Sequence, residues 1–254
     1  MLKKNLLAAA VATATLAAMG ATTAQADDDS WYSTSANAAI TTDYRFRGIS
    51  QSDEDIAVQA GFDVEFSPGF YASIWGSSVD FGGDIPSGSY GTVEMNYVAG
   101  WAGSFGDSDI GIDVGYIYYD YPGDTVANEG DYQEFYVGTS YGDWVTFQIN
   151  YSDDYYAETD EFWYFALGSS FTLPNLEALT FNAHIGYNML DEDDGFLAPG
   201  EDEYFDYLLG VTYTLADIDF SLAWVGTDLD RDDVGAATEE LADDTAVFTI
   251  SKSL

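Results

Sequence analysis

The stretch Ile56-Ala57-Val58-Gln59-Ala60-Gly61-Phe62-Asp63-Val64-Glu65-Phe66 decides the fold. Ile56, Val58, Ala60, Phe62, Val64 and Phe66 fall on one parity, and Gln59, Asp63 and Glu65 on the other. Successive side chains of a strand point to opposite faces, so this segment is a strand with one greasy face and one acidic face. The same period of two returns in Val145, Phe147, Ile149 and Tyr151 against Thr146, Gln148 and Asn150. It returns again in Leu179, Phe181, Ala183, Ile185 and Tyr187 against Thr180, Asn182, His184 and Gly186.

Extended along the chain, the pattern predicts twelve strands, over residues 36–47, 56–66, 70–81, 92–102, 109–120, 132–141, 144–152, 162–172, 178–189, 204–214, 217–226 and 245–254. The strand that starts at Phe70 carries aromatics on both parities. The connections alternate in length: residues 67–69, 142–143, 173–177 and Ala216 are short, whereas 82–91, 121–131, 190–203 and 227–244 are long. Acidic residues crowd the long set, as in Asp191, Glu192, Asp193 and Asp194.

Aromatics mark both ends of the strands, with Phe66, Phe70, Trp101, Tyr141, Trp144, Phe171 and Tyr213 toward the short turns. Tyr118, Tyr151, Trp163, Tyr187 and Trp224 lie toward the long loops. A soluble β-sandwich would alternate too, but it predicts neither the two loop classes nor the two aromatic belts. A transmembrane up-and-down antiparallel β-barrel predicts both, with short periplasmic turns and long external loops. An even strand count leaves both termini on the periplasmic side.

The first residues fit delivery to such a membrane. Lys3 and Lys4 precede an apolar stretch from Leu6 to Met19 and a small-residue site at Ala24, Gln25 and Ala26, which together read as a Sec signal peptide over residues 1–26. The barrel is then expected over residues 27–254. No later segment is apolar for long enough to form a spanning helix, so any span must be built from strands. The chain has no Cys, which rules out disulfide staples and thiolate chemistry.

Composition narrows the partners. The formal net charge is −39, and two of the six Lys and Arg lie in the signal segment while all 45 Asp and Glu lie beyond it. Such a chain repels nucleic acid and attracts cations. With 17% aromatic residues, the acid does not signal disorder.

Parity divides the barrel residues. Ile40, Phe62, Met95, Val114, Val137, Phe147, Leu167, Ile185, Leu209 and Leu222 are assigned to lipid. Asp43, Arg45, Arg47, Asp63, Glu65, Glu94, Asp113, Glu134, His184, Asp206 and Asp219 are assigned to the lumen as pore-lining residues. Gly61, Gly100, Gly111, Gly115, Gly168, Gly186 and Gly210 share the inner face, where missing side chains leave room. Arg45 and Arg47 are the only basic residues expected inside, both on the first strand. They form either the positive wall of a constriction facing carboxylates, or internal ion pairs that hold a self-repelling lumen together.

The run Thr42-Asp43-Tyr44-Arg45-Phe46-Arg47-Gly48-Ile49-Ser50-Gln51 resembles the opening motif of the TorF family of porin-like proteins. Gly69 to Trp75, Gly115 to Gly123 and His184 to Tyr187 are similar to its later landmarks. The resemblance covers nearly the whole mature chain and implies a Gram-negative outer-membrane barrel of porin type. It implies no catalytic residue.

Other chemistry finds little support. His184 is the single histidine, and no GxSxG nucleophile elbow stands near it. Asp228, Asp230, Asp232 and Glu239 match positions 1, 3, 5 and 12 of a calcium loop, but position 6 is Asp233 instead of Gly and no flanking helix is expected. External carboxylates could also share divalent ions with the phosphates of lipopolysaccharide. Cofactor motifs are otherwise missing, and the strand pattern fixes no oligomeric state. The expected function is passive diffusion of small hydrophilic solutes with a cation preference. The alternatives are a barrel hydrolase of lipase or protease type, and a closed adhesive barrel with cation-binding acidic loops.

Overall fold

The structure is a computed structural model that describes residues 31–81, 89–106, 108–126, 130–191, 197, 201–234 and 236–254. The signal segment expected at residues 1–26 lies outside them, as do Glu192, Asp193 and Asp194.

Twelve antiparallel strands form a closed barrel. In chain order they are β1 (Tyr32–Thr41), β4 (Ala57–Phe66), β5 (Phe70–Ser78), β6 (Val93–Ser104), β7 (Ile110–Asp120), β8 (Tyr132–Tyr141), β9 (Val145–Ser152), β10 (Phe162–Leu173), β11 (Leu176–Met189), β12 (Glu203–Leu215), β13 (Ile218–Thr227) and β14 (Thr245–Ser253). Two further strands, β2 (Arg45–Phe46) and β3 (Ile49–Ser50), pair only with each other. Each barrel strand bonds its chain neighbours, and β1 closes the sheet by pairing with both β4 and β14. Ile40 stands opposite Val58 on one side and Ile250 on the other, so the apolar row runs unbroken across the seam. Closure leaves no strand edge with unpaired amides, which a span through hydrocarbon requires.

The parity assignment holds around the wall. Leu209 is 65% exposed, and Ile40, Phe62, Val137, Leu167, Ile185 and Leu222 are exposed with it. Phe70 and Ile74 point outward while Tyr71 and Trp75 of the same strand are partly buried inside, which resolves the ambiguous strand. Replacing Leu209 by Arg should cost about 2–4 kcal/mol if this face meets mid-bilayer lipid, read as the urea midpoint of refolding into vesicles. Arg in place of the inward-facing Thr146 should cost far less.

Two segments differ from expectation. The first strand covers residues 32–41, not 36–47, and the chain leaves the wall at Thr42. Asp43, Arg45 and Arg47 therefore lie on a hairpin folded into the lumen, not on a barrel strand. The cause is local. Phe46 pairs with Ile49 across the two-residue loop Arg47-Gly48, both with positive φ, +49° and +83°. That is the type I′ geometry whose twist suits a tight hairpin. Asp43 then ties the two legs, accepting from Ser50 Oγ at 2.6 Å and Ser52 Oγ at 3.2 Å.

The second difference is in residues 227–244, which form two short helices, α1 (Arg231–Val234) and α2 (Ala236–Ala242). Asp230 and Asp233 begin the first of them as a cap. The Asp233 carboxylate accepts the Asp230 amide at 2.8 Å, and the Asp230 carbonyl accepts the Asp233 amide at 3.1 Å. No helix among the described residues is long and apolar enough to cross a membrane.

Candidate functional site

The inner wall changes character along the barrel axis. Toward the short turns, Ser35, Ser73, Ser140, Thr146, Ser170 and Asn182 are partly solvent-accessible, and so are Asp63, Glu65 and Asp219. Thr212 and Ser221, hydrogen-bonded to each other at 2.8 Å, are buried there, and so are Asp113, Gln148 and Ser251. Toward the long loops the inward positions are dry: Gln59, Glu94, Tyr119, Tyr132, Glu134, Asn150, Phe162, Tyr164, Asn188, Tyr204 and Asp206 are all buried. Solvent accessibility of the inward positions thus falls from the short-turn end toward the hairpin.

Arg47 at the hairpin tip is the centre of the dry half. It is 1% exposed and donates through Nη2 to both oxygens of Glu134, at 2.6 and 2.9 Å. Glu134 is itself 0% exposed, so each charge is neutralised only by the other and by hydrogen bonds. Asn150 Nδ2 donates to the same carboxylate at 2.7 Å, and the Tyr119 hydroxyl also donates to it, at 3.4 Å. Around the guanidinium stand the rings of Tyr164, Phe162, Phe46 and Tyr155, with centroids 4.4, 4.5, 4.6 and 5.6 Å away. Ring faces carry negative quadrupole and replace part of the lost hydration of the cation. Tyr155 arrives from the connection between β9 and β10 and stacks on Phe162 at 4.0 Å. Burial raises its hydroxyl above the ordinary phenol range, against the pull of the Arg47 charge.

Arg45 has a different task. Its Nε meets Asp43, its Nη2 meets Glu54 at 3.0 Å, and its Nη1 donates to the carbonyls of Gly48, Leu241 and Asp243 at 3.1, 2.6 and 3.0 Å. Leu241 is in the last turn of α2, so the guanidinium satisfies carbonyls that a helix end leaves without partners. One side chain thus holds the hairpin to the loop that covers it.

The other sequence-derived residues fall into place around these two. Glu94 accepts from the Tyr44 hydroxyl at 3.1 Å and from Asn96 at 2.8 Å. Asp113 accepts from Tyr71 at 2.7 Å, and Tyr71 in turn meets Tyr136. Asp206 accepts from Asn188 at 2.8 Å and Tyr164 at 3.3 Å. The single histidine, His184, stands 2.9 Å from Tyr164 and 3.2 Å from Asp206, with no Ser or Thr hydroxyl bonded to it among the described residues. Asp63 accepts from Ser35 and Ser73, at 3.2 and 2.5 Å. The two arginines are ion-paired inside the lumen, and their carboxylate partners are close neighbours instead of an opposing wall across open water.

The inner glycines do not leave open space, as expected from parity. A Cβ at Gly100 would meet Tyr71, one at Gly115 would meet Tyr136, and one at Gly186 would meet Asp206 and Tyr164. Their missing side chains admit tyrosines. In the last loop Asp228 accepts the Phe205 amide at 2.7 Å and Asp230 belongs to the α1 cap, so both are engaged in folding the loop. Glu239 lies in the first turn of α2, and no three acidic side chains converge on a common point among the described residues. The Asp232 side chain is outside that description.

The aromatic seat of Arg47 is the part that sequence reasoning missed. Aromatics are expected in interfacial belts, yet Tyr119 shares the inward parity of Asp113, Tyr132 that of Glu134, and Tyr204 that of Asp206. That parity was the available signal. Tyr119 and Tyr132 stack face to face at 4.3 Å inside the barrel, and the Tyr204 hydroxyl donates to the Arg47 carbonyl at 3.3 Å.

Comparison with solved structures finds the same architecture elsewhere. The chain is similar to the KdgM porin at 8% identity, covering 86% of this chain and 97% of that one with a TM-score of 0.52. It is similar to the NanC porin at 14% identity, with the same coverages of 86% and 97% and a TM-score of 0.50. At these identities the likeness is one of fold. No curated protein matches the sequence. A family model, described as a bacterial protein of unknown function (Gcw_chp), matches residues 25–254, and the chain belongs to that family.

Proposed function

We propose that the protein is a porin-like channel of the Gram-negative outer membrane, passing small hydrophilic solutes with a preference for cations and closed at its long-loop end by the 42–55 hairpin. The observation that carries this reading is the polarity of the wall: apolar side chains outside, and Ser, Thr, Asn and carboxylates inside, more accessible to solvent at the short-turn end than near the hairpin. Such an inversion is stabilised when the outer wall meets lipid and the polar interior is hydrated or internally hydrogen-bonded. The porin fold of the KdgM and NanC proteins and the TorF-like motif support it. In this orientation the short turns face the periplasm and the acidic loops face outward, where they share divalent ions, calcium included, with lipopolysaccharide phosphates.

The cation preference rests on Asp63, Glu65 and Asp219, which face the wetted half of the lumen with no basic side chain among the inward positions of that half. Carboxylates gathered on that side of the wall raise the local cation concentration and lower that of anions. In planar bilayers under a KCl gradient, the reversal potential should take the sign of a potassium-selective pore. The triple variant Asp63→Asn, Glu65→Gln, Asp219→Asn should move it toward zero, and an anion-selective wild type would contradict the reading.

A second reading, a permanently closed barrel whose acidic loops bind cations at the cell surface, is favoured by the completeness of the burial around Arg47. It predicts no current from the wild type or from any hairpin variant.

A further inference from the structure

Lifting the hairpin out of the barrel would leave a formed pocket, because most of the Arg47 seat does not travel with Arg47. Glu134 is on β8, and its carboxylate is aimed by Asn150 of β9 and Tyr119 of β7. Phe162 and Tyr164 are on β10, and Tyr155 is on the connection that precedes it. Only the Phe46 ring would leave with the hairpin. The wall alone keeps the Glu134 carboxylate and three aromatic faces, which a bound cation would cover again. That set of groups recognises a planar, weakly hydrated organic cation, with two parallel N–H groups for the carboxylate and a flat face for the rings. A hydrated alkali ion gains little from it.

The resident arginine fills this pocket imperfectly. Its backbone is held at φ +49°, in the left-handed region that a non-glycine residue enters only under constraint. Its Nε is buried without a hydrogen-bond partner among the described residues. A free guanidinium compound carries neither handicap. We propose that Arg47 is an internal surrogate ligand, and that the seat formed by Glu134, Tyr155, Phe162 and Tyr164 is a binding site for guanidinium-type organic cations that compete with the hairpin tip. This rests on the channel reading for its use in transport, but binding itself does not require conduction.

Methylguanidinium is the probe. Arg47→Ala protein in detergent micelles should bind it by calorimetry, while sodium at equal concentration gives no heat. Adding Glu134→Gln should weaken that binding roughly thirtyfold or more, since a buried charge would lose its partner. Folded Arg47→Ala protein that does not bind methylguanidinium, or binds it equally well with Gln at 134, overturns the proposal. Folding is checked by the shift in electrophoretic mobility on heating. If Arg47→Ala does not fold, the wild type decides: methylguanidinium should accelerate amide exchange across residues 42–55, and unchanged exchange overturns the proposal. Binding by Arg47→Ala together with a complete lack of current in bilayers would uphold the site and defeat the channel.

Discussion

Arg47→Ala protein should conduct far more often than the wild type in planar bilayers, and its pore should be more cation-selective. In the closed state the substitution leaves the Glu134 carboxylate buried without its cation, a change that costs about 3–5 kcal/mol. With the hairpin displaced, Glu134 faces water and the cost vanishes. The whole penalty therefore falls on one side of the closed–open equilibrium. At about 1.4 kcal/mol per factor of ten, the ratio of open to closed protein should rise by roughly a hundredfold to a thousandfold or more. The loss of the three ring contacts to Tyr155, Phe162 and Tyr164 pushes in the same direction. Selectivity rises because a positive charge has left a carboxylate-lined lumen. Closed-level recordings indistinguishable from wild type would show that Arg47 does not hold the hairpin in place.

Gly48→Ala should open the channel by geometry alone. Gly48 has φ +83°, where a side chain is strained, and an added Cβ would lie 2.9 Å from the Gly226 carbonyl oxygen and 3.1 Å from Asp206 Cβ, besides striking Thr227. The Gly226 carbonyl belongs to the barrel backbone of β13 and cannot yield. Left-handed strain contributes about 1–3 kcal/mol against the seated tip, with the contact to the wall in addition. The variant retains Arg47, so its open pore should be less cation-selective than that of Arg47→Ala. Equal selectivity in the two variants would mean that the Arg47 charge is absent from the permeation path.

The sequence showed the wall more clearly than its contents, and particular residues show why. Strand alternation reports only which face a residue takes, so the number and order of the wall strands were legible, and their facing too except in β5, where both parities carry aromatics. Residues 42–47 continue that alternation from β1 without a break, yet they turn inward. Period two does not say which partner a strand pairs with, and the evidence for leaving the wall was the Arg47-Gly48 turn. Arg45 and Arg47 were legible as interior charges, since lipid excludes them. Their partners were not, because Glu134 is 87 residues from Arg47, and Leu241 is 196 from Arg45. The tyrosine lining was obscured by a real competing role for aromatics at membrane interfaces, which Trp163, Phe70 and Tyr141 do fill on the outer face. The short helices of the last loop escaped because a run of acidic residues looks the same whether it folds or stays solvated.

The central claim is that the 42–55 hairpin closes a pore that the barrel wall would otherwise leave open. It is tested most directly by comparing single-channel recordings of the wild type with those of a variant in which residues 44–51 are deleted and the gap is bridged by two glycines. The account predicts rare openings for the wild type and a continuously open, cation-selective channel for the deletion. A correctly folded deletion variant that shows no current, or one that gates like the wild type, would contradict it.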